Sequence, residues 1–464
     1  MNYSEIKNEL DKVGCGFCLA KWTQVTIHLH LGRTHSCHHP DTHPIPVSEL
    51  QNNPSALHNT RFKKKKRKEM LDGKRPSECQ YCWGVEDNSN EFSDRIRKSS
   101  EDWSLPHINE IKNLDWKEDF NPRYVEVSFS NTCNFKCSYC GPSFSSSWVS
   151  EVEQYGAYPT NTHGLESLIA EGRMPFKKTD HNPYVEAFWK WWPKLYRDLH
   201  TFRITGGEPL LSNDTWSILD YIIEEQDPNT KLSLAINSNL GVSDDLIDRL
   251  IDKVNRISNE ERVKEFHIFT SVDGWGEQAE YGRHGLIFNK FWDNLNKILT
   301  KCPTVSLTIM STYNVFSVPS YHKLIRGVYD LQKEHNNNKR YIGVNASHLR
   351  HPYHQSVKIL PSSFGKLIKA HGELAETKLE LDDDTDQVSP GFSEDSVSQI
   401  KRIYDWMISP QDSKQLFINR VNFYRFVTEH DRRRGTNFTK TFPELEKFYY
   451  QCKDKSIQYS PSGN

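Results

Sequence analysis

From residue 122 onward the chain repeats one pattern. Short apolar, β-branched runs recur at 124–129, 202–205, 232–236, 266–272, 305–310 and 341–344, and helix-length stretches separate them. Parallel neighbours in a sheet need a crossover of that length, so the pattern predicts βαβ units and a parallel sheet. Six such units make a TIM-like (β/α)6 barrel, complete or partial. Polar, Gly-rich or Cys-rich residues follow the first four runs at once, at 131–133, 206–209, 237–239 and 271–274. Parallel α/β folds build their chemistry at the carboxyl ends of strands, so these four segments form the candidate site.

The first segment opens a loop with Cys133, Cys137 and Cys140, separated by three and then two residues. Three thiolates with no obvious fourth would leave one iron of a cubane cluster open to a small molecule, unlike a closed structural site. Taken alone, the loop also reads as a zinc knuckle short of a ligand, or as cysteines that merely pack. A second set, Cys18, Cys37, Cys79 and Cys82, brackets a strand-like stretch at 25–31 and a helical stretch at 61–71. A segment that short lacks much core of its own, and one metal centre would hold it together. Four thiolates suit iron–sulfur or zinc. Cys15 is a spare thiol. His35, His38 and His39 crowd Cys37 and read as surface residues. Cys302 and Cys452 lie outside any ligand spacing and read as buried thiols.

Composition narrows the classes. At 464 residues, 36% hydrophobic and 26% charged, the chain is polar but not disordered, with length for about two to four domains. A net charge of −2 gives no bulk reason to bind nucleic acid or an anionic membrane. The start is polar and helix-like over 1–14, and no apolar run approaches a membrane span. A reducing cytoplasm is the expected location, and there clustered cysteines read as metal ligands rather than disulfides. The basic run 63–68 reads as a solvated helix face or hinge, with docking of a nucleic acid or an acidic leader peptide as the alternative. The aromatic stripe 184–192 has helical spacing and reads as core or domain interface. Helices are expected at 362–380 and 411–433, an acidic loop at 381–390, and fraying over the last dozen residues.

The cysteine loop after one strand, with Gly206, Gly207, Glu208 and Pro209 after the next, resembles the radical S-adenosylmethionine superfamily. Cys18 with Trp22, then Cys37, Cys79 and Cys82, resembles the SPASM/twitch auxiliary-cluster module. That module usually follows the barrel; here it precedes it, as in an N-terminal-twitch branch, to which the tail 431–435 and 442–445 is also similar. One departure stands out: relatives usually place proline before the tryptophan, where this chain has Lys21. The implied architecture is a twitch-like domain over 1–90, a linker over 91–121, a partial (β/α)6 barrel over 122–361 and a helical C-terminal extension over 362–464.

The resemblance implies roles. Cys133, Cys137 and Cys140 would hold a [4Fe–4S] cluster whose fourth iron binds S-adenosylmethionine, and the N-terminal four a second, auxiliary [4Fe–4S] cluster. Gly206 and Gly207 would let backbone approach the methionine amino group, with Glu208 in the same motif. Tyr139 would pack near the adenine. Asn237 and Ser238 would lie near the reacting carbon and the methionine carboxylate, Ser271 and Asp273 near ribose or carboxylate, and Arg283 would pair with the carboxylate. The implied activity is reductive cleavage of S-adenosylmethionine to a 5′-deoxyadenosyl radical, which takes hydrogen from a peptide or protein. The electron donor would be a flavodoxin or ferredoxin. A nucleotide or nucleic-acid substrate is the alternative, and a zinc-bearing scaffold without redox chemistry is the alternative from another class.

Overall fold

A computed structural model describes residues 1–160, 165–177, 179–378 and 390–459. Its strands, in chain order, are β1 (Gln24–His28), β2 (Arg33–His35), β3 (His43–Pro44), β4 (Tyr124–Ser128), β5 (Lys136–Cys137), β6 (Thr201–Thr205), β7 (Ser233–Ser238), β8 (Glu265–Ser271), β9 (Arg283–His284), β10 (Ser306–Tyr313) and β11 (Ile342–His348). All six expected runs contain strand. The fold is mixed α/β with mainly parallel pairing, consistent with a radical SAM partial barrel. The chain divides into two compact units, one of residues 1–131, 175–236 and 259–265, the other of 132–174, 237–258 and 266–464.

In the first unit β4 pairs in parallel with β6, and β6 with β7. Strand β1 joins the other side of β4, also in parallel, with Thr26 opposite Glu126, and β2 and β3 follow antiparallel. Alternation sends Val25, Ile27, Val125, Val127, Phe202 and Ile204 into the core, each fully buried. The aromatic stripe covers Phe202. It forms the helix Pro183–Asp198, started by Pro183 at its first position and by Asn182, whose side chain accepts from the amides of Tyr184 and Val185. The rings of Phe188 and Trp192 lie 6.3 and 4.8 Å from Phe202. The stripe is therefore core.

The N-terminal helix Tyr3–Asp11 opens on a capping box between Asn2 and Glu5. Its Ile6 and Leu10 pack with Phe17, Trp22 and Met70, and with Ile96, Ile111 and Phe120. Residues 91–121 thus differ from a linker: helices Asp94–Ser100 and Ile108–Lys112 place apolar side chains in that core. The first unit also differs from the expected division at residue 90, because β1 and β4 share one sheet.

The basic run forms the helix Arg61–Leu71, and only part of it is a solvated face, with Lys65 and Lys68 exposed. Lys63, Arg67 and Met70 recur at helical spacing and are buried. Arg67 donates to Asn59 at 2.7 Å and to the Lys21 carbonyl at 3.2 Å, and Lys63 contacts His58 at 3.0 Å. Burial, with the charges of Arg67 and Lys21 nearby, holds the Lys63 ammonium well below its usual range. Lys64, Lys66 and Lys68 pair with Asp119, Glu69 and Asp72 at 2.5, 2.7 and 2.6 Å.

In the second unit β8, β10 and β11 pair in parallel, with Met310 between Ser271 and Asn345. Short strands β5 and β9 form a separate antiparallel pair. Helices Gly365–Glu376, Glu394–Ile408 and Ser413–Arg434 follow. The expected acidic loop lies outside the described residues except for Pro390. Of the last dozen residues, 453–458 continue the helix Glu446–Gln458, whose Phe448 and Cys452 are buried, and those beyond 459 lie outside the described residues. Cys302 is also a buried thiol. Among the described residues, no helix is long and apolar enough to cross a membrane.

Candidate active site

The cysteine loop lies in the second unit and is fastened along its length. Cys137 sits in β5 opposite Arg283 of β9, and the Ser138 amide donates to the Gly282 carbonyl at 2.8 Å. Ser147 donates to the Cys133 carbonyl at 2.6 Å, and the Trp148 indole donates to the Cys137 carbonyl at 2.9 Å. Both stand on the helix Ser146–Tyr155, whose N-cap is Ser145. Phe135 anchors the middle of the loop at 1% exposure. A Cβ on Gly241 would come within 2.3 Å of its ring, and one on Gly285 within 2.9 Å of the Asn134 carbonyl.

Donors point at the sulfurs. The Phe135 amide lies 3.4 Å from Cys133 Sγ, and Arg283 Nη1 lies 3.7 Å from Cys137 Sγ. A thiolate accepts from such donors more strongly than a thiol does, so this donor set fits a metal-bound state. In the metal-free chain the Cys137 and Cys140 thiols are held towards the protonated form. Burial, assisted by Cys137, pushes Cys140 up to about 12. Burial raises Cys137 as well, with Arg283 pulling the other way.

Arg283 also ties Tyr139 to Asp273. Its Nε donates to Asp273 Oδ2 at 2.8 Å, and its Nη2 donates to Asp273 Oδ1 at 3.2 Å and to the Tyr139 hydroxyl. Tyr139 donates to Asp273 Oδ2 at 2.8 Å, and the Thr312 amide donates to Asp273 Oδ1 at 2.7 Å. Burial opposes the guanidinium charge, yet Asp273, Tyr139 and Cys137 hold Arg283 well above its usual range. Four of the expected site residues therefore form one buried network. Ser271 ends β8, two residues before Asp273. Asn237 and Ser238 end β7, where the Ser238 hydroxyl accepts from the Leu240 amide at 3.0 Å. Beside the loop lies a cavity of about 430 Å³, lined by Tyr139, Cys140, Trp148, Tyr158, His354 and Phe426 among others.

Sequence reasoning did not find what clamps this loop from behind. Lys136, next to Cys137, pairs with Glu151 at 2.8 Å. Glu151 also meets Arg434 at 3.3 Å and accepts from Tyr158 at 2.7 Å. Arg434 donates to the Lys136 carbonyl at 2.8 Å. Arg434 belongs to the 431–435 segment already noted for its resemblance, which was the available signal.

Gly206–Glu208 lie in the first unit. Gly206 has φ +128°, and a Cβ there would meet the Ser130 carbonyl at 2.7 Å and Ser128 Oγ at 2.8 Å. The Gly207 amide donates to the same Ser130 carbonyl at 3.0 Å. Only glycine suits such a backbone. Glu208, 2% exposed, caps the short turn Pro209–Leu211 by accepting from the Leu210 amide at 3.0 Å.

The N-terminal cysteines also lie in the first unit, and the chain brings all four together. Cys18, Cys37, Cys79 and Cys82 line one small enclosed cavity with Lys21 and Arg95. Burial and the neighbouring cysteines push Cys18 up to about 12, and burial takes Cys82 to the same range. Cys15 is exposed, with its thiol 3.7 Å from the Gly73 carbonyl. His39 is held away from ligand duty: it stacks on Tyr81 at 3.7 Å and bonds Asp94 at 2.8 Å. His35 is buried, with its Nδ1 at the Cys37 carbonyl, and His38 faces Glu126 at 3.7 Å. Among the described residues, no three His, Cys, Asp or Glu side chains converge on one ion. A cubane carries its thiolates on separate irons and makes no such demand.

Residues 127–259, which run from within β4 past Gly206–Pro209, match the model of the Radical SAM superfamily. A GTP 3′,8-cyclase of Sulfurovum sp. (strain NBC37-1) is 29% identical over 117 residues, 25% of this chain. The chain spans about a quarter of that curated relative's length, at 27%. Among solved structures, native anSMEcpe with bound AdoMet and Kp18Cys peptide matches at 15% identity and TM-score 0.34, over 57% of this chain and 62% of the other. A polyhistidine-tagged anSMEcpe with bound AdoMet matches at 14% identity and TM-score 0.35, over 72% and 97%. The radical SAM domain indicates an enzyme. The superfamily implies a [4Fe–4S] cluster that binds S-adenosylmethionine.

Proposed function

We propose that this chain is a cytoplasmic radical S-adenosylmethionine enzyme acting on a peptide or protein. Cys133, Cys137 and Cys140 would hold the cluster that binds S-adenosylmethionine, and Cys18, Cys37, Cys79 and Cys82 would hold an auxiliary cluster. The observation that carries the reading is the loop itself: three thiols, with an amide and a guanidinium donor aimed at two of them. When bound, the cluster and S-adenosylmethionine supply one-electron cleavage of a sulfonium and a radical that takes hydrogen from substrate.

The chain's own residues orient and shield. Arg283 places a fixed positive charge beside Cys137 while Asp273 and Tyr139 keep its fork in place. Gly206 and Gly207 leave backbone, not side chain, where the methionine amino group would approach. Asn237 and Ser238 would lie near the reacting carbon and the methionine carboxylate, Ser271 and Asp273 near ribose or carboxylate, and Tyr139 near the adenine. Trp148 and Phe135 exclude water from the back of the loop. A flavodoxin or ferredoxin would supply the electron.

The peptide reading rests on the auxiliary-module resemblance. The nucleic-acid reading rests on the run at 63–68, and two of its cations lie inside the protein while three are paired. Anaerobic reconstitution tests the whole. It should give a brown protein with roughly eight irons per chain, and reduction with S-adenosylmethionine should release 5′-deoxyadenosine. Zinc in both sites, with no charge-transfer colour, would sink the enzyme reading in favour of a zinc scaffold.

A further inference from the structure

Lys21 is 2% exposed. It lines the small cavity with the four N-terminal cysteines, pairs with Glu78 and reaches the Cys79 sulfur. Its backbone is fixed as well, since its carbonyl accepts from Arg67 Nε at 3.2 Å. A buried ammonium is costly unless something negative answers it. The other buried cation on this wall is already answered: Arg95 binds Glu86 through two contacts of 2.9 Å and Asp11 through a third, also 2.9 Å. Lys98 is only half-buried, so water screens it. His39 is committed to Asp94. Lys21 faces a single carboxylate together with the thiols.

We propose that Lys21 is the buried counter-cation of the centre held by Cys18, Cys37, Cys79 and Cys82, and that it favours the reduced state of that centre. This rests on reading the centre as iron–sulfur. One added electron makes a four-thiolate cluster more negative by one charge. A fixed positive charge beside it, poorly screened by water, stabilises that state. The same argument assigns Lys21 a positioning role for charge rather than a ligand role.

The test uses the full chain with Cys133→Ala, Cys137→Ala and Cys140→Ala, so that only the N-terminal centre remains. The protein is reconstituted anaerobically and assayed for iron and sulfide. It is then reduced stepwise with dithionite, which donates the electron, while the centre is followed by electron paramagnetic resonance. Roughly four irons per chain are expected. At equal iron content, Lys21→Gln and Lys21→Met should shift the midpoint to more negative potential, and Lys21→Arg should stay with the unsubstituted centre. An unchanged midpoint in Lys21→Gln overturns the proposal and leaves the iron–sulfur reading standing. Zinc without sulfide overturns that reading, and the proposal with it. If Lys21→Gln does not retain the centre, Glu78→Gln decides: relieving Lys21 of its carboxylate should move the midpoint to more positive potential, and no movement overturns the proposal.

Discussion

The two cysteine sites solve opposite problems. The loop of Cys133, Cys137 and Cys140 collects three thiols within eight residues of chain, and neighbouring elements aim donors at the sulfurs. The N-terminal site gathers four thiols from a span of more than sixty residues into a small enclosed cavity, walled by a buried lysine and arginine. The first arrangement leaves a coordination position to a small molecule. On the proposed reading, the second would fill every position with protein and leave charge as the available control. Proteins use open metal positions for chemistry and closed ones for structure or electron transfer.

Breaking each site should separate these roles. Cys137→Ala should reduce 5′-deoxyadenosine formation to background, measured by chromatography after dithionite reduction. Cys79→Ala should instead remove about half of the iron while leaving that cleavage measurable, since the loop keeps its three ligands. Persistence of the product in Cys137→Ala would refute the ligand assignment.

The clamp behind the loop gives the next largest effect. Glu151 bridges Lys136 and Arg434, and its carboxyl falls to about 2: burial raises it, but Arg434, Lys136 and Tyr158 together outweigh that. Glu151→Gln strands buried cations and should cost about 3 kcal/mol in urea denaturation. A depressed carboxylate contributes stability above its ordinary range. That contribution is lost as pH falls towards about 2.

Both sites should share one pH signature when metal-free. Cys18, Cys82 and Cys140 are pushed up to about 12, in each case first by burial. A raised thiol stabilises the folded chain below its ordinary range near 9 and loses that contribution as pH climbs towards about 12. Unfolding midpoints of the metal-free protein should therefore fall above pH 9, and metal loading, which expels those protons, should flatten the trend. The smallest effect belongs to the basic helix. Lys66→Gln and Lys68→Gln remove partly exposed ion pairs and should change stability by less than about 0.5 kcal/mol.

Much of this was legible in the sequence, for physical reasons. The apolar, β-branched runs from 124 to 344 mark strands because parallel strands covered on both faces favour such side chains, and the residues after them mark the site because strand ends are where backbone turns. The pairing of β1 with β4 left no local trace: the partners lie about a hundred residues apart, and a short alternating strand does not announce its neighbour. The charge run at 63–68 misled because composition ignores phase. Lys63, Arg67 and Met70 stand four and three residues apart, the spacing of a buried helix face, and two of the three are basic residues. Tyr139, Asp273 and Arg283 were each expected at the site; that they bind one another came only from tertiary structure.

The central claim is that the loop's centre is open and the N-terminal centre closed. It can be tested on two proteins, one with Cys133, Cys137 and Cys140 replaced by Ala, the other with Cys18, Cys37, Cys79 and Cys82 replaced by Ala. Each is reduced, and its electron paramagnetic resonance spectrum is recorded before and after adding S-adenosylmethionine. The account predicts that the spectrum changes in the protein that keeps the loop and stays fixed in the protein that keeps the N-terminal set. No change in the protein that keeps the loop, or a change in the protein that keeps the N-terminal set, would contradict it.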